Sequence, residues 1–85
     1  FINEDAGNVP RRRFPLPSRD APEFDAAAAS ALLEAARDGA TGDAEEATGY
    51  RWGEPRLHPH VTRILARARR EGDERLEQLA ERFLR

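Results

Sequence analysis

Apolar residues recur every three to four positions in three stretches of this chain, and each stretch predicts a helix. In the first, Phe24, Ala28, Ala31, Leu32 and Ala35 form one stripe, while Glu23, Glu34, Arg37 and Asp38 gather on the opposite side. Leu33 lies off the centre of that stripe. Asp20 is a suitable N-cap, Pro22 fits the first turn, Glu23 follows Asp20 at capping-box distance, and Gly39 fits the position past the end. Together they predict a helix over 21–38. Its alanines give strong helical propensity and a surface that another element can approach closely.

The second stretch carries Val61, Ile64, Leu65 and Ala68 at i, i+3, i+4 and i+7, with His58 near the N-cap and Pro59 as first helical residue. Leu76, Leu79 and Phe83 continue the same phase in the third. Between them lies Glu71-Gly72-Asp73, where two readings compete. A continuous helix would keep Arg67–Glu71, Arg70–Glu74 and Glu71–Arg75 as i,i+4 ion pairs. Alternatively, Gly72 ends one helix and Asp73 caps the next. The break is the reading adopted, giving helices over 59–71 and 74–84.

Residues 39–57 hold Gly39, Gly42, Gly49, Gly53 and Pro55, so they predict a loop with at most a helical turn at Asp43–Ala47. Residues 1–19 hold Pro10, Pro15 and Pro17 and predict an extended arm, near polyproline geometry at Arg11-Arg12-Arg13-Phe14-Pro15-Leu16-Pro17. The expected architecture is all-α: an arm over 1–19 and, over 20–85, a small bundle of two or three helices.

Composition narrows the picture. With 85 residues, 39% of them hydrophobic and many of those alanine, the chain builds only a thin core. A partner, or a second copy of the chain in a homo-oligomer, is a natural way to complete it. The absence of cysteine excludes disulfides and thiolate metal sites. Arginine as the only strong base, with abundant alanine, reads as the coding bias of a GC-rich genome, and a bacterial source is the expectation. No apolar run reaches the length of a membrane span, and no signal-like segment is present, so a cytoplasmic protein is expected. From a chain that begins with Phe1 and holds no methionine, the expectation is one that has been processed, trimmed or excised.

Charge is unevenly spread beneath the net value of −2. Residues 1–19 and 50–85 are basic on balance and residues 20–49 strongly acidic, a pattern that opposed patches within one fold can neutralise. Arg63, Arg67 and Arg70 share one helix face, with Arg56 nearby and Arg11, Arg12 and Arg13 on the arm. These arginines can contact phosphates, or form a solvated, salt-bridged face. Tyr50 and Trp52 either cap the thin core or anchor a partner, since Trp, Tyr and Arg dominate interface hot spots.

Catalysis by this chain alone is not expected. Ser18 and Ser30 have no histidine beside them in sequence, and the glycines lack the spacing and lysine of a phosphate loop. His58 and His60 with Glu54 are the one metal-like cluster. Two histidines fall short of a three-ligand site, so a metal there requires a second chain, and no cofactor is called for.

The leading functional reading is therefore a non-catalytic helical accessory subunit or protein–protein interaction module. Its partner-binding residues are Arg11, Arg12, Arg13, Phe14, Leu16, Tyr50 and Trp52. The second reading is a small nucleic-acid-binding regulator of antitoxin type, using the arm with Arg56, Arg63, Arg67 and Arg70. The third is a fragment of a metal-dependent enzyme.

Overall fold

A computed structural model describes residues 14–85, and Arg11, Arg12 and Arg13 lie outside that range. Among the described residues the chain is all-helical, with no strand. Four α-helices follow one another: α1 Phe24–Arg37, α2 Thr41–Thr48, α3 His58–Glu71 and α4 Glu74–Leu84, with a 3₁₀ turn at Pro55–Leu57 leading into α3. Two or three helices were expected; the fourth is α2. No described helix is long and apolar enough to cross a membrane.

The first helix starts three residues later than its capping signals suggest. A residue before proline is pushed out of the α region, which removes Ala21 from the helix. Turns occupy the segment instead: Ala21 N donates to Ser18 O at 2.9 Å and Phe24 N to Ala21 O at 3.0 Å. Asp20 does not cap; its own N–H donates to Ser18 Oγ at 3.3 Å. The far end closes as a Schellman motif. Gly39 stands at φ 74, and Ala40 N donates to Ala35 O at 2.8 Å.

All five residues of the expected α1 stripe are buried, but Ala29 and Leu33 are buried as well, both at 0% exposure. The reason is position. The first helix packs against α2, α3, α4 and the 3₁₀ turn, so it is covered on more than one side and a single stripe understates its buried face.

The second helix was expected to be a turn. It buries only Ala44 and Thr48, one turn apart, so it offers no large apolar residue to a periodicity reading. Thr48 Oγ1 donates to Ala44 O at 2.8 Å and accepts from Tyr50 N at 3.1 Å, which satisfies a buried hydroxyl while turning the chain. Gly49 ends the helix in the left-handed region at φ 79.

At Gly72 the chain breaks. The residue stands at φ 73, Asp73 N donates to Ala68 O at 2.9 Å, and Asp73 Oδ1 accepts from Leu76 N at 3.1 Å to cap α4. This makes α3 and α4 a hairpin whose facing sides bury Val61, Ile64, Leu65, Ala68, Leu76, Leu79, Ala80 and Phe83. The break separates Arg70 from Glu74 and Glu71 from Arg75, and those ion pairs do not form among the described residues. Arg69 bridges the hairpin instead, from Nε to Glu77 at 3.3 Å and from a terminal nitrogen to Glu81 at 3.1 Å.

Candidate functional site

The loop between α2 and the 3₁₀ turn is tied down by its aromatics. Tyr50 is half-buried, with its ring 6.2 Å from that of Phe24, and its hydroxyl donates to Asp25 Oδ1 at 2.7 Å. Arg56 Nε donates to the other oxygen of Asp25 at 3.1 Å. Trp52 meets Phe83 edge-on with centroids 4.9 Å apart, and its backbone N–H donates to Glu45 at 2.8 Å. Both aromatics thus serve the chain's own packing. Trp52 also forms one wall of a cleft of about 320 Å³ with Ala36, Thr41 and Leu79, rimmed by Arg75 and Arg82.

The Tyr50 hydrogen bond holds the Asp25 carboxyl below its ordinary range, with the Arg56 charge adding to it against the opposing effect of burial. The same bond raises the Tyr50 phenol. A carboxyl lowered in the folded state contributes stability that is present above its unfolded value, near pH 4, and is lost as pH falls through the native value. Asp73 is lowered in the same direction, chiefly by Arg37 and then by the Leu76 N–H. Tyr50→Phe removes the largest cause at Asp25. Its urea midpoint is therefore expected to be lower at pH 7 and to decline less steeply than that of the wild type between about pH 5 and pH 3. An unchanged decline would contradict this assignment.

Across the outer face of α1 lies the arm. Phe14 and Leu16 are half-buried against the core cluster, and Leu16 N donates to Phe14 O at 2.8 Å in a tight turn. With Pro15 they form one wall of a cleft of about 320 Å³, whose other lining is Ala27, Ser30, Ala31 and Glu34 of α1. The small side chains of α1 make the cleft: longer ones would fill it. Glu34 at its far end has the Arg37 guanidinium 3.7 Å away.

Ser30 also belongs to a second, smaller groove of about 190 Å³ between α1 and α3, lined by Ala26, His60, Arg63, Ile64 and Arg67. His60, Arg63, Ile64 and Arg67 recur at i, i+3, i+4 and i+7, so α3 presents them as one stripe. Arg63 and Arg67 are exposed and have no ion pair among the described residues. The Nδ1 atom of His60 is buried without a hydrogen-bond partner among the described residues. Ser30 lines both hollows, the mostly apolar one at the arm and the basic one at α3.

The arginines proposed from sequence for nucleic acid therefore divide. Arg56 is engaged with Asp25, while Arg63, Arg67 and Arg70 make no ion pair among the described residues. His58 Nε2 lies 3.1 Å from Gly53 O, its ring is 6.1 Å from that of Phe83, and Glu54 accepts from Arg56 N at 3.3 Å. No group of three or more His, Asp or Glu side chains among the described residues is placed to hold a metal ion. Sequence spacing missed Ser30, Ala27 and His60 as members of a surface hollow. The alanine stripe and the i,i+4 pair Arg63/Arg67 were its only visible signals.

Fold and surface together define a small all-helical chain with a two-part hollow on one helix. No family model, curated protein or solved structure matches it.

Proposed function

We propose that this chain is a non-catalytic helical interaction module that holds an acidic, partly apolar segment of another protein across α1. The observation that carries the reading is that Ser30 lines both the cleft under Phe14 and Leu16 and the basic groove of His60, Arg63 and Arg67. An apolar side chain of the partner fills the first and loses contact with water. A neighbouring acidic group sits in the second, where charge complementarity fixes direction and register.

The test is selection from a displayed peptide library on the intact chain. Recovered peptides are expected to pair a large apolar residue with Asp, Glu or a phosphorylated residue. Ala27→Arg, which fills the cleft from a partly exposed position, is expected to weaken them about tenfold or more while the helical spectrum is kept. Selected peptides that ignore Ala27→Arg, or no enrichment at all, would remove the reading.

The row Arg63, Arg67 and Arg70 favours one alternative, a nucleic-acid regulator. Its signature is duplex binding that weakens steeply with salt and is lost when the row is neutralised. The net charge of −2 works against it.

A further inference from the structure

We infer that the groove between α1 and α3 is a binding site for a terminal phosphate group, held by Arg63, Arg67, His60 and Ser30. This deepens the docking reading by naming the acidic group, and it uses the same surface.

Three features of the groove point to a dianion with several oxygens. Arg63 and Arg67 are one helical turn apart, so their guanidinium groups repel each other, and no acidic side chain of the groove lining lies between them. A doubly charged group placed there relieves that repulsion. The donors are also more numerous than a carboxylate can use. Two guanidinium forks and the His60 imidazole on one wall, with Ser30 on the other, suit the three terminal oxygens of a phosphate monoester. Finally, Ala26 keeps the α1 wall low and Ile64 floors the groove, which leaves about 190 Å³ of space.

A backbone phosphodiester fits less well. It carries one negative charge, and duplex affinity comes from many contacts spread along a face, whereas Arg70, the next arginine of the row, is not part of the groove.

The imidazole signals of the intact chain report the site directly, because His58 and His60 are its only histidines. At fixed pH and ionic strength, titration with inorganic phosphate is expected to move the His60 ring resonances saturably and to leave those of His58 in place. The Arg63→Gln/Arg67→Gln double variant, changed only at exposed positions, is expected to bind phosphate about tenfold more weakly or worse. Arg70→Gln is expected to bind as the wild type does. A phosphoserine peptide with an adjacent leucine that binds more tightly than inorganic phosphate would mark a protein-borne group, and equal affinity would mark a free phosphate compound.

The proposal is overturned by silent His60 resonances, by an equal response to acetate, by an equal loss in Arg70→Gln, or by duplex DNA outcompeting phosphate. The phosphate titration contains no peptide. A silent groove therefore removes the phosphate site and leaves the peptide selection standing, and a failed selection does not touch the titration.

Discussion

Replacing Phe83 by alanine is expected to remove a large share of the stability of the fold. Phe83 is fully buried at 0% exposure in the last turn of α4. It meets the edge of Trp52 at 4.9 Å and faces the ring of His58 at 6.1 Å. One ring thus joins α4 to the loop before the 3₁₀ turn and to the start of α3. Truncating a buried phenylalanine costs about 3–5 kcal/mol, from lost transfer free energy and from the cavity left behind. A chain of this length has roughly 4–13 kcal/mol in all. The expected urea midpoint lies about 2 M or more below that of the wild type, or the chain fails to fold. Helical signal and Trp52 fluorescence both read it, the latter from a tryptophan that touches the new cavity. A loss under about 1 kcal/mol would mean that the ring is not held as described.

The second large effect belongs to Leu32→Ala, at about 2–5 kcal/mol. Leu32 is also at 0% exposure, and it lies in the helix that packs on every other element. A cavity there cannot be confined to one interface. Helical signal and Trp52 fluorescence are therefore expected to fall together in one shifted transition. Separate transitions, with helix surviving after the tryptophan environment is lost, would show that α3 and α4 do not depend on α1.

The hairpin was readable because its two helices each show one face to the core. Val61, Ile64, Leu65 and Ala68 in one, and Leu76, Leu79 and Phe83 in the other, repeat at the helical period, and Gly72-Asp73 carries the chemistry of an ending followed by a cap. The same method understated α1, where Ala29 and Leu33 are buried by neighbours that only the tertiary fold supplies. It gave α2 only as a turn at Asp43–Ala47, because the buried side of that helix is just Ala44 and Thr48 and its support is a threonine hydroxyl bonded within its own turn. The two hollows were hardest. They draw on residues 14–16, 26–34 and 60–67, which spacing cannot bring together. Sequence grouped Arg56 with Arg63 and Arg67 by type and proximity, yet the guanidinium of Arg56 turns back to Asp25, because a carboxylate already accepting from Tyr50 is stationed there.

The pattern of packing bears on how the chain assembles in time. Its most extensive interfaces join consecutive helices, α3 with α4 and α1 with α2. Loops between such neighbours are short, so little chain entropy is lost before the first contacts form. Proteins built from local contacts reach the native state in about microseconds to milliseconds. The hairpin closed by Gly72 and Asp73 is suited to serve as an early nucleus, with α1 arriving to seal it. The groove between α1 and α3 therefore comes into being only when those two helices meet, whereas the cleft, lined by residues 14–16 and α1 alone, does not wait for α3.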